Sequence, residues 1–230
     1  MRNIPCFLVV FTDATMMPLL ASFRENFMDR TEFVVLPFED LPTFKLLSVW
    51  KEHYLFDPEA ERHTIENYIL WNNKINFGTE AIKLNPFKSS YFVWCDIGSF
   101  RQPQFVRRYV NFPSPTKVAK HGKDRMTFMS YMPIRKEEYL IDNTTGLPAH
   151  DFLRDYRIHC PVFTGHQKAW DQYARLFYST LRLFIQSGRF AGKDQNIVTS
   201  VSVMYPNSTT LIRPKKFFGH IGSYFHYYFS

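Results

Sequence analysis

The chain has 230 residues and a mass of 27.4 kDa, with 28 Lys+Arg against 21 Asp+Glu, for a net charge of +7. Hydrophobic residues make up 45%, aromatics 18% and charged residues 21%, with only nine glycines. That mixture excludes collagen, long disorder and low-complexity chains, and it suits one domain spanning 1–230 with a sizeable core. No apolar run approaches the roughly 20 residues of a membrane-spanning helix. The longest, Ile4 to Phe11, is strand-sized.

In chain order, Ile4–Phe11 reads as a strand buried on both faces, and Thr12-Asp13 ends it. Met17–Phe27 follows with helical spacing at Leu19, Leu20, Phe23 and Phe27, and Glu32–Leu36 is a second strand closed by Pro37. The opening is β-α-β, the start of a parallel sheet. Between Phe44 and Leu84 the pattern is helical but broken, with a start signal at Asp57-Pro58. Glu66–Leu84 places Ile69, Asn73, Phe77 and Ala81 on one face, has Gly78 as its weak point, and stops at Asn85-Pro86.

Tyr91–Cys95 is another hydrophobic strand, running directly into Asp96-Ile97-Gly98. Gln102–Lys123 reads as a surface excursion, Met126–Tyr131 as a strand and Ile141–His150 as loop. Cys160–Thr164 is a short strand before the amphipathic helix Ala169–Gln186, which Ser187-Gly188 stops. Gly192-Lys193-Asp194-Gln195 opens the helix Asn196–Val203, Thr210–Ile212 is a late strand, and Phe217–Ser230 is an aromatic tail. The class is α/β, with a mostly parallel central sheet, flanked by helices, that includes Ile4–Phe11, Glu32–Leu36 and Tyr91–Cys95.

Three scattered cysteines, Cys6, Cys95 and Cys160, with no CxxC pair and no secretory signal, predict reduced core thiols and a cytoplasmic protein. The sequons at Asn143 and Asn207 then carry no glycan. The basic balance favours anionic partners: a phosphate-bearing ligand, nucleic acid or an acidic membrane surface.

In an open α/β sheet, ligands bind beyond the carboxyl ends of strands. Asp96 is delivered there by a buried strand, where it can hold a metal or a sugar hydroxyl, and Gly98 lets a ligand approach the backbone. Its plain alternative is a turn carboxylate. Asp194, before a helix, can face a ligand or simply cap that helix. Thr12 and Asp13 close the first strand, where they meet a ligand or form an ordinary turn. Lys74 and Arg101 offer cations to a diphosphate or are solvated surface charges.

Trp71-Asn72-Asn73-Lys74, then Asn85-Pro86-Phe87 and Tyr91-Phe92-Val93-Trp94-Cys95-Asp96-Ile97-Gly98, resemble the HtrL/YibB-type family of proteins related to GT-A-fold glycosyltransferases. Phe163-Thr164-Gly165-His166 and Asp194-Gln195 follow in the family's order. The resemblance implies a single Rossmann-like GT-A domain that binds a nucleotide-sugar, probed through Thr12, Asp13, Lys74, Asp96, Gly98 and Arg101. It places Asp194 and Gln195 beside the reacting centre, and Asp96 at the first position of a D-x-D motif. Gly98 replaces the second Asp, which puts a Mn²⁺ or Mg²⁺ ion in doubt; Asp96 with His220 or His226 of the tail would be its ligands, or the imidazoles pack among aromatics.

The implied activity is transfer of a sugar from a UDP- or GDP-linked donor to a glycan or lipid-linked acceptor, with the basic surface able to meet an acidic membrane. Two other readings stand beside it. One is a degenerate relative kept as a binding protein, motivated by Gly98. The other is a single-strand nucleic-acid binder, disfavoured because the basic residues are scattered and no nucleic-acid motif is present.

Overall fold

The computed structural model describes residues 4–100 and 111–213. Arg101, His220 and His226 therefore lie outside the described residues, as does the aromatic tail. Six strands are described: β1 (Leu8–Thr12), β2 (Thr31–Val35), β3 (Tyr91–Cys95), β4 (Met126–Ser130), β5 (Ile158–His166) and β6 (Thr209–Ile212). The helices are α1 (Met17–Ser22), α2 (Leu47–Tyr54), α3 (Ile65–Leu84), α4 (Pro115–Ala119), α5 (Gln167–Gln186) and α6 (Asp194–Met204), joined by short 3-10 turns. The class is α/β. No helix among the described residues is long and apolar enough to cross a membrane.

The expected single, mostly parallel sheet is not what forms. β1 and β2 pair in parallel as a two-stranded sheet, while β3 belongs to a four-stranded mixed sheet of order β3-β5-β4-β6. In that sheet β5 runs antiparallel to both β3 and β4, and β6 is parallel to β4. A parallel neighbour needs a crossover, usually a helix. Between β4 and β5 the chain forms no α-helix, only a 3-10 turn, Lys136–Tyr139, and an isolated bridge between Ile141 and Pro148, and β5 returns antiparallel.

The first strand starts later than expected, at Leu8. Arg24, buried, donates to the carbonyls of Ile4 (2.9 Å) and Cys6 (3.0 Å) and to Thr31 Oγ1 (2.9 Å), taking acceptors a ladder would have used. The helix expected over Met17–Phe27 breaks after Ser22 into a 3-10 segment, Glu25–Arg30, with Phe27 off helical geometry. Its spacing does not mark a core face: α1 buries no residue, and Leu19 and Phe23 are 48% and 44% exposed. Asp57-Pro58 forms a turn instead of starting a helix. The described part of the expected surface excursion holds α4 and buries Phe112 and Val118.

Adjacent residues on β4 and β5 fall into different cores, Phe128 and Phe163 in one, Met129 and Val162 in the other, as alternation across a pleat requires. The larger core packs α3, α5 and α6 over the mixed sheet; the smaller joins Ile4, Cys6, Phe112, Val118 and Ile212 on its opposite face. Gly78 turns out to be a packing device. A Cβ there would lie 2.1 Å from Cζ3 of Trp170, so only glycine lets α3 approach α5 this closely.

Candidate functional site

The site grows from the end of α3's turn into β3. Asn85 adopts a left-handed conformation (φ 36°) that ends the helix, and its side chain accepts from Ser89 N (2.7 Å) and donates to Ser89 O (3.0 Å). This clamp feeds β3, whose ladder continues into Asp96 through a bond from its N–H to Pro161 O (2.8 Å). Trp94 stacks on Phe77 of α3 with centroids 5.7 Å apart, and its Nε1 donates to Asp96 Oδ1 at 2.6 Å. Gly98 lies one turn on, in the 3-10 segment Ile97–Phe100.

Lys74, in the interior of α3, joins the two acidic candidates. Its Nζ lies 2.9 Å from Asp194 Oδ2, 3.2 Å from Asp96 Oδ2 and 3.5 Å from Cys160 O. The Lys74 and Asp194 side chains are 7% and 9% exposed, whereas Asp96 is 31% exposed and is the open carboxylate of the group. Asp194 is not the cap of α6; Lys193 holds that position, and Asp194 turns its carboxylate inward. Burial pushes the Asp194 carboxyl up, more than the Lys74 charge pulls it down. Burial works against the Lys74 ammonium, but Asp194 and Asp96 outweigh it and hold it above its ordinary value.

The loop carrying Asp194 is pinned from α3. Asn72 Nδ2 donates to Ala191 O (3.2 Å) and Gly192 O (3.1 Å), and a Cβ on Gly192 would meet Phe190 and Tyr68 at under 3 Å. Lys193 is tied to Glu59 and Tyr156, whose hydroxyl donates to Glu59 Oε2 at 2.7 Å. Gln195 Nε2 donates to Ile158 O (3.2 Å), tying α6 to the start of β5. Next along β5, burial and the Lys74 charge pull His159 down to about 4, so its ring is neutral at physiological pH. The Tyr173 hydroxyl is buried without a hydrogen-bond partner among the described residues, and burial pushes it well up, with Cys160 and Asp194 adding to the effect.

Of the sequence candidates, then, Lys74, Asp96 and Asp194 meet, with Gly98 and Gln195 adjoining them in the chain. Thr12 and Asp13 make no hydrogen bond or ion pair with that group. Asp13 is exposed, and its Oδ1 accepts from Thr15 N (2.7 Å) and Met16 N (2.9 Å), the local turn role. Thr12 Oγ1 donates to Asp13 O at 3.4 Å. Sequence reasoning missed Trp94 and Asn72 as holders of the site, although both stand inside the quoted motif. Nothing in the sequence signals Glu59 and Tyr156, which lie far apart in the chain.

A divalent ion fits this donor set poorly. Asp96 has one oxygen on Trp94 and the other on Lys74, Gly98 supplies no carboxylate, and Asp194 already faces the ammonium. A second group of metal-type residues, Glu138, His150 and Asp155, lies elsewhere in the fold. There the fully buried Arg157 donates to both oxygens of Glu138 and both oxygens of Asp155, occupying the atoms that a metal would need. No family model, no curated protein and no solved structure matches the chain.

Proposed function

We propose that the protein is a glycosyltransferase of GT-A type, moving a sugar from a nucleotide-sugar donor to a hydroxyl of a glycan or lipid-linked acceptor. The observation that carries this reading is the partly open Asp96 carboxylate at the carboxyl end of β3, held by Trp94 and Lys74 and followed by Gly98. Two acidic side chains set against one lysine suit sugar or ribose hydroxyls, which donate hydrogen bonds, better than a phosphate. The donor diphosphate needs its counter-charge elsewhere, and Arg101 is the cation we assign to it. In the transfer, the acceptor oxygen bonds to the anomeric carbon, the bond to the diphosphate breaks, and the acceptor proton passes to a carboxylate.

Asp96 is the carboxylate that meets substrate. Asp194, nearly closed to solvent, acts through Lys74 as a positioning residue, and Gln195 fixes α6 against β5. The chain's positive charge suits a lipid-linked acceptor at an anionic membrane face, and the buried Cys6 and Cys160 thiols suit the cytoplasm. Calorimetry and transfer assays with a panel of nucleotide-sugars test the reading. Asp96→Asn should lose donor affinity and turnover together. Asp194→Asn should keep donor KM near wild type, lower kcat and shift its pH profile. A folded Asp96→Asn variant with wild-type affinity and turnover refutes the assignment. The burial of Asp194 also favours a second reading, a relative that binds the sugar without transferring it; donor binding with no transfer or hydrolysis would select it.

A further inference from the structure

We propose that the Lys74 ammonium is a built-in cation standing where a divalent ion would bind, and that removing it exposes a latent Mn²⁺ or Mg²⁺ site. An ammonium has three N–H donors. Here three oxygens from three separate segments surround it: Asp194 Oδ2 at the start of α6, Asp96 Oδ2 at the end of β3, and the Cys160 carbonyl of β5. Two carboxylates and a carbonyl are the hard oxygen donors that Mg²⁺ and Mn²⁺ select. They converge on one point without help from the lysine backbone, because each is fixed by its own element. Asp96 is oriented by Trp94, the Asp194 loop by Asn72, and Cys160 stands at the register shift of β5, between His159, paired with β4, and Val162, paired with β3.

The lysine wins that point because it is tethered there. Its stem is buried inside α3, so the charge is present at a fixed place whatever the metal concentration, and an incoming dication would face the ammonium's own charge. Asp96, one-third exposed, provides the route by which an ion would enter once the stem is gone. Replacing the four-carbon stem with a hydroxymethyl group leaves room for an ion and its waters.

The proposal goes beyond the glycosyltransferase reading and does not need a nucleotide-sugar for its test. Mn²⁺ binding is followed by electron paramagnetic resonance and by the Tm of the protein alone. Wild type should bind no Mn²⁺ in a manner that Asp96→Asn abolishes. Lys74→Ser should bind Mn²⁺ and gain Tm with rising Mn²⁺, as a ligand of the native state must produce. Adding Asp96→Asn to Lys74→Ser should remove both effects. Mn²⁺ binding to wild type that disappears in Asp96→Asn overturns the proposal. So does a folded Lys74→Ser that binds no Mn²⁺. If Lys74→Ser folds only when Mn²⁺ is present during refolding, the metal has replaced the ammonium, which supports it. Donor binding is measured in neither arm, so its failure and that of the proposed function are read separately.

Discussion

Lys74→Met is the perturbation that best isolates the charge at the centre of the site. Methionine keeps most of the buried stem, so little packing is lost, but Asp194 is left as a buried carboxylate without its partner. Breaking a buried ion pair from one side costs about 3–5 kcal/mol. Asp96, one-third exposed, adds less than about 1 kcal/mol, since solvent screens what it loses. For a chain of this size each kcal/mol is worth roughly 2–4 °C, so a loss of about 3–6 kcal/mol should lower Tm by about 6–24 °C at pH 7. The deficit must also depend on pH. Without Lys74, burial raises the folded Asp194 pKa further above its unfolded value of about 3.9. A group raised in the folded state contributes its full stability below the unfolded pKa and loses it as pH climbs through the folded one. The variant's deficit should therefore shrink between pH 7 and pH 4.5, by at most about 1.4 kcal/mol per unit. Lys74→Met combined with Asp194→Asn removes both charges and should recover most of the loss. Urea denaturation followed by circular dichroism measures all three variants. A single variant as stable as wild type, or a double variant no better than the single, refutes the reasoning.

Gly78→Ala should lower stability by about 1–3 kcal/mol through overpacking against Trp170, although alanine gains up to about 1 kcal/mol of helix propensity; an unchanged or raised Tm contradicts the packing account. Arg157→Met should cost about 3–5 kcal/mol at pH 7, because Glu138 is buried beside it. The Arg157 guanidinium holds Glu138 below its ordinary value, so the wild-type gain is present above the unfolded pKa of about 4.3 and lost as pH falls, and the Tm gap should close at acid pH. Asp13→Ala should loosen the turn after β1 but leave nucleotide-sugar affinity unchanged in calorimetry, since its Oδ1 serves the local turn through Thr15 and Met16 and the carboxylate makes no bond with the Lys74 group.

The elements with strong local signals were legible: α3 between its start and Asn85, β3 as a hydrophobic run, α5 as an amphipathic helix. Strand direction was not, because β5 carries the same apolar pattern whichever way it runs, and only the connection from β4 decides. The α1 spacing misled because a helix of six residues can show periodic Leu and Phe without a layer above them to bury against. Asp96 and Asp194 stood at a strand end and a helix start, positions that sequence can rank. Lys74 reads equally well as a solvated surface charge, which an interior helix lysine ordinarily is. Its burial depends on the two carboxylates being delivered to it from 22 and 120 residues further along the chain, and no local window contains that information.

Two turns of α3 tie stability and site geometry together. Asn72, Lys74, Phe77 and Gly78 lie within two turns of that helix, and each governs a different partner. Gly78 sets the approach of α5 through Trp170, and Phe77 carries Trp94, whose N–H aims Asp96. Asn72 holds the loop before Asp194, and Lys74 closes the circuit between the two acids. A shift of α3 along its axis would therefore move the ammonium relative to both carboxylates at once, with no neighbouring element free to compensate. For that reason α3 variants confound folding with function. Asp96→Asn confounds them least, because its carboxylate is the open member of the group and asparagine keeps its size; its amide can still accept from only one of Trp94 and Lys74, so Tm is measured beside binding.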